Sequence, residues 1–135
     1  MSPTSSSVLV IEAHPMMREA LRTAIANEPG LRIAIPASHA PLAASLLIPI
    51  KPDAILLAST PDLILLAFGN PGTDELEALS VLRQALPGTP ILALTTDEVP
   101  GQEQAALQRG AHAVLTKSAP RTAIIHRLLE LCTKA

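Results

Sequence analysis

Aromatic side chains are nearly missing from this sequence: Phe68 is the only one, with no Trp and no Tyr. A core made almost without rings has to be filled by Leu, Ile, Val and Ala. Cysteine is as scarce. Cys132 stands alone, so no internal disulfide can form, and a reduced cytoplasmic setting fits. Charge is sparse, at 16% of residues and a net −2, with no basic block. Nucleic acid is gripped through clustered Lys and Arg, so direct binding of it by this chain is not expected. The opening run Met1-Ser2-Pro3-Thr4-Ser5-Ser6-Ser7 has neither the basic region nor the apolar region of a signal peptide. Long apolar runs are missing too. The greasiest stretch, Leu42 to Phe68, is broken by Pro49, Lys51, Pro52, Asp53, Pro61 and Asp62. No piece of it approaches the ~20 residues of a membrane helix.

What is present suits a folded domain. Hydrophobic residues make up 48% of 135, too many for disorder and enough for one sizeable core. Residues 1–7 read as a flexible lead and 8–135 as a single domain. Val8 to Ile11 is a short apolar run rich in β-branched residues, as in a strand buried on both faces. Met16 to Asn27 reads as a helix, with Met17, Ala20, Leu21, Ala24 and Ile25 on one face and Pro29-Gly30 as its stop. Leu31 to Ile35 reads as a second strand and Ala40 to Leu47 as a helix stopped by Pro49. Ala54 to Ala58 and Leu63 to Ala67 both look like buried strands. Thr73 to Leu86 is an expected helix with Thr73 or Asp74 as its cap. Ile91 to Leu94 follows as a strand, then Val99 to Arg109 as a helix ended by Gly110. Ala113 to Leu115 is the last strand, and Pro120 to Cys132 the last helix.

Apolar strands alternating with amphipathic helices predict a parallel sheet covered on both faces. Five such units predict an α/β fold of the flavodoxin-like, doubly wound kind, with strand order 2-1-3-4-5. In such sheets ligands sit beyond the carboxyl ends of the strands, where Glu12, Ala67, Thr95 and Lys117 would gather. Other chemistries find little support. His14, His39, His112 and His126 are scattered without metal-ligand spacing. No nucleophile elbow and no glycine-rich nucleotide loop occurs.

The order of several short motifs resembles the receiver domain of bacterial two-component response regulators, from Val8 to Leu131. Val8-Leu9-Val10-Ile11-Glu12-Ala13-His14-Pro15 is similar to its first strand, where two acids precede His-Pro. His14-Pro15 followed by Arg18-Glu19-Ala20-Leu21 is similar to the subfamily that carries a LuxR-type DNA-binding domain. Leu63 to Ala67 followed by Phe68-Gly69-Asn70-Pro71-Gly72 resembles the strand that ends in the phospho-accepting aspartate. Leu92-Ala93-Leu94-Thr95-Thr96 resembles the fourth strand, with Thr95 at the hydroxyl position that senses the phosphoryl group. Arg109 to Lys117 resembles the fifth strand and its lysine.

The resemblance also exposes departures. Family members hold Mg²⁺ with carboxylates, in an array of oxygen ligands. Here Ala13 and Ala67 stand where two of those acids are expected, and Val114 replaces the aromatic that toggles on the fifth strand. With Glu12 as the remaining acid, Mg²⁺ binding is expected to be lost or very weak, and no other cofactor is implied. Lys117, left without a phosphoryl group, has Glu12 as its available counter-charge.

One segment admits two readings. Pro52-Asp53-Ala54-Ile55-Leu56-Leu57-Ala58 and Pro61-Asp62-Leu63-Ile64-Leu65-Leu66-Ala67 are near copies nine residues apart. Either could be the third strand. The Gly69-Asn70-Pro71-Gly72 turn that directly follows the second copy favours that one. Both end in alanine, so Ala58 would take the place of Ala67 if the first copy were used.

These features imply a non-enzymatic pseudo-receiver that cannot be phosphorylated at the usual position. It would act by contact with a protein partner or as a homodimer. In the family the surface of fourth helix, fifth strand and fifth helix serves that role, here Val99 to Gly110 with Pro120 to Cys132. Transcription would be regulated through a missing or separate output domain. The competing reading is a small-ligand sensor with a remodelled pocket beside Thr95 and Lys117. A thermal-shift screen separates the two, since a specific ligand raises the melting temperature by mass action.

Overall fold

Leucine, isoleucine and valine runs too short for a helix become strands here. The computed structural model describes residues 6–12, 15–33, 62–68, 75–96 and 100–133. In chain order these form β1 (Ser6–Ile11), α1 (Pro15–Ala26), β2 (Leu31–Ile33), β3 (Leu63–Ala67), α2 (Glu75–Ala85), β4 (Ile91–Thr95), α3 (Gln102–Arg109), β5 (Ala113–Thr116) and α4 (Arg121–Thr133). The strands make one sheet in the order β2-β1-β3-β4-β5, and every pairing is parallel. This is the expected flavodoxin-like topology. The helix expected at Ala40 to Leu47 and the strand-like copy Ala54 to Ala58 lie outside the described residues.

Both faces of the sheet are buried, which is why its central strands are apolar without alternation. All five residues of β3 are buried, as are all five of β4. Successive side chains point to opposite faces. Ile64 and Leu66 therefore join Leu79 and Leu82 of α2 and Ala106 of α3 in one cluster. Leu63, Leu65 and Ala67 join Leu21 and Ile25 of α1 and Ile124 and Leu128 of α4 in the other. Phe68, just past β3, is 2% exposed and fills the first cluster.

The choice between the two near-copies is settled by pairing. Leu63 to Leu66 lie beside Val8 to Ile11 of β1, and Ile64 to Ala67 beside Ile91 to Leu94 of β4. Asp62 fixes the start of this register. Its carboxylate accepts the Ser7 N–H at 2.9 Å, and its own N–H donates to the Ser7 carbonyl at 3.0 Å. That clamp also takes Ser6 and Ser7 out of the expected flexible lead, whose residues 1–5 lie outside the described residues. Ser6 and Ser7 are the first two residues of β1, paired with Leu31 and Arg32 of β2.

A second correction concerns α3, which begins at Gln102 and not at Val99. Gly101 has φ +80°, a left-handed backbone that cannot continue inside a right-handed helix. The other end behaves as expected, with Gly110 as the C-cap at φ +120° and its N–H on the carbonyls of Ala106 and Leu107. A Cβ at Gly110 would sit 2.6 Å from Cγ of Arg83. Gly110→Ala should therefore cost about 1–3 kcal/mol in denaturant unfolding, from backbone strain plus displacement of that side chain.

Candidate functional site at the carboxyl ends of the strands

Parallel strands place all their carboxyl ends along one edge, and the register brings the expected residues there together. Glu12 follows β1, Ala67 ends β3, Thr95 ends β4 and Lys117 follows β5. Ala67 pairs with Leu94, and Thr95 with Thr116. Ala13 and Ala58 lie outside the described residues.

The centre of the site is an ion pair between residues 105 apart in sequence. Lys117 Nζ lies 2.9 Å from Glu12 Oε1 and 3.3 Å from Oε2. The Glu12 side chain is 1% exposed and that of Lys117 23%. The carboxylate end of this pair is therefore dry and only the ammonium end is wetted. A carboxylate so deeply buried is tolerable only with a counter-charge and hydrogen bonds. Lys117 is held at its base as well, since its N–H donates to the Thr95 carbonyl at 2.8 Å.

Around this pair the chain supplies further anchors. Arg18, in the first turns of α1, donates from Nη1 to the Glu12 carbonyl at 3.2 Å, fixing the end of β1. Gln102 opens α3 and reaches back, its Oε1 accepting the Thr96 N–H at 2.7 Å. Thr95 is 2% exposed. Thr116 and Ser118 hydroxyls meet at 2.8 Å beside Lys117. Val114, half-buried, packs against the cluster that contains Phe68. Among the described residues no three His, Cys, Asp or Glu side chains gather in a group able to hold a metal ion. Arg18 and Gln102 escape sequence reading, because nothing local marks a side chain that bonds backbone across a turn. Their six-residue spacings, from Glu12 and from Thr96, are the only signal.

A family model for the response regulator receiver domain matches residues 8–129. The chain belongs to that family. Its relatives include the probable transcriptional regulatory protein NarL of Mycobacterium tuberculosis, 27% identical over 132 residues. That match covers 98% of this chain and 56% of the relative, so the receiver spans about half the length of the curated proteins it resembles. Among solved structures, the signal receiver domain of NarL from Mycobacterium tuberculosis superposes with a TM-score of 0.72 at 24% identity, covering 98% of this chain and 100% of that one. A LuxR-family two-component response regulator from Aurantimonas sp. SI85-9A1 gives 0.73 at 22% identity, with 97% and 87% coverage. At such identities the structural likenesses speak for the fold. No described helix of the receiver is long and apolar enough to cross a membrane.

Proposed function

We propose that this receiver signals without accepting a phosphoryl group and without holding Mg²⁺, through a pocket closed by its own ion pair. The observation that carries this reading is the Glu12–Lys117 contact, at the end of the sheet where β3 closes in Ala67. At the end of β3 a methyl group can neither ligate a cation nor attack phosphorus. The carboxylate left to the site already faces an ammonium at 2.9 Å. A Mg²⁺ ion there would have to displace Lys117 and complete a near-octahedral oxygen shell from few protein donors. Val114 in place of the switching aromatic fits the same loss, since no ring remains to change position.

Such a domain works by contact. The proposed surface is α3, β5 and α4, taken by a homodimer or a protein partner. β5 is the edge strand, and Val114, Leu115 and Thr116 are all part-exposed along it. By likeness to its relatives the proposed output is transcription control in the cytoplasm, through a separate or missing output domain. With its net charge of −2 the receiver itself leaves nucleic acid to that other part. The small-ligand reading is less favoured, because Lys117, the cation that would greet an anion, is already engaged.

Incubation with acetyl phosphate and Mg²⁺, followed by intact mass measurement, is expected to show only the unmodified chain. A stoichiometric phosphoryl adduct would sink the proposal.

A further inference from the structure

At the amino ends of the strands, away from the ion pair, β5 is fastened to β4 by a histidine. His112 immediately precedes β5, and Ile91 is the first residue of β4. The His112 N–H donates to the Ile91 carbonyl at 2.9 Å. The return bond comes from the side chain: His112 Nδ1 accepts the Ile91 N–H at 3.1 Å. Ile91 is 0% exposed, so its amide sits in the sheet with the imidazole as its acceptor. An acceptor at Nδ1 requires the neutral ring with its proton on Nε2.

We propose that His112 is a proton-sensitive clasp for the edge strand. Protonation at Nδ1 turns that nitrogen into a donor facing the Ile91 N–H, which is itself a donor. The bond is lost and a buried amide is left without its partner. One charged group, Arg83, adds to this effect. From α2, Arg83 approaches with its guanidinium, which also donates to the Pro87 carbonyl, and its charge opposes a second positive charge on the imidazole. From α3, Arg109 bonds Ser80 Oγ at 3.3 Å, while Glu103 lies at the far end of that helix. β4 brings no titratable side chain, being Ile91-Leu92-Ala93-Leu94-Thr95. Partial burial first, and Arg83 second, hold the His112 pKa below its ordinary 6.5.

The sign follows by linkage. A histidine whose folded pKa is depressed binds fewer protons when folded than when unfolded. Its neutral form therefore contributes in full above pH ~6.5, and that contribution is lost as pH falls from there toward the folded value. β5 spans only four residues, with His112 at its start and Lys117 at its end. Acid releases the first fastening and leaves the second.

The test is an NMR pH titration of the intact chain. The Ile91 amide should shift in step with the His112 ring, at an apparent pKa below 6.5. The protection of that amide, its hydrogen exchange measured against the intrinsic rate at each pH, should fall about five- to tenfold once the ring is charged, as expected for one lost hydrogen bond. In His112→Asn, whose side-chain oxygen can accept the same N–H, the Ile91 shift should stay flat over the same range. An Ile91 amide that ignores the ring titration in the wild-type chain would overturn the proposal even if the variant failed to fold. So would an unchanged Ile91 titration in a folded variant.

Discussion

Lys117→Met is expected to lose about 2–4 kcal/mol of stability at neutral pH, far more than removal of its partner. The reason is the asymmetry of burial. Glu12 has a side chain 1% exposed and Lys117 one 23% exposed. Without the ammonium, the carboxylate is left in the sheet edge as an uncompensated buried charge, the situation that makes breaking a buried pair cost about 3–5 kcal/mol. The partial exposure of Lys117 places the figure at or below the lower part of that range. Glu12→Gln removes the other charge and should cost less, roughly 1 kcal/mol, because Lys117 can turn its ammonium to water. The Arg18 bond survives that change, since it falls on the Glu12 backbone carbonyl. The double variant Glu12→Gln/Lys117→Met should be more stable than Lys117→Met alone. Urea unfolding of all four chains at pH 7 measures the series. Equal losses from the two single changes would mean that the pair is solvated at both ends, and the closed-pocket reading would lose its footing.

Phe68→Ala should be worse still, about 3–5 kcal/mol, the cost of emptying a ring-sized space in a core. Phe68 is 2% exposed among Ile64, Leu66, Leu79 and Leu82, with no second ring to close over the gap. Its N–H also donates to the Leu94 carbonyl at 2.7 Å, so the backbone at this point is fixed and cannot sink inward. Phe68→Leu keeps most of the volume and should cost about 1–2 kcal/mol. The comparison bears on the duplicated segment. The residue after Ala67 is Phe68, whereas the residue after Ala58 is Ser59. A strand built from the first copy would bring a hydroxyl into the place that the ring now fills, losing apolar burial and adding a polar group that needs a partner. A negligible loss for Phe68→Ala would show that this place is not core and would reopen the choice of strand.

Much of the fold was legible because its signals are local. β3 and β4, buried on both faces, cannot be other than continuous apolar runs, and Gly110 ends α3 where a left-handed residue is needed. Ends of elements were less legible. The serines before Val8 look like a lead by composition, yet Ser6 and Ser7 extend β1, because Asp62 and β2 supply partners that composition does not show. The start of α3 was set by the backbone of Gly101, whose conformation no spacing reveals. At the site, Glu12, Thr95 and Lys117 could be named in advance because each closes or follows an apolar run. Arg18, Gln102 and His112 could not. Each bonds a backbone group, and any backbone group looks alike from sequence.

The amino-acid order alone determined which side chains reach this end of the sheet among the described residues, the Ala67 methyl, the Glu12 carboxylate and the Lys117 amine, and made the strands too apolar to lie on a surface. Only the tertiary structure decided which of two near-identical segments becomes β3, how dry the Glu12 carboxylate is, and that a histidine fastens β5 to β4. Composition and local pattern travel with the chain, but pairing, burial and hydrogen bonding between residues 21 to 105 positions apart exist only once the strands lie side by side.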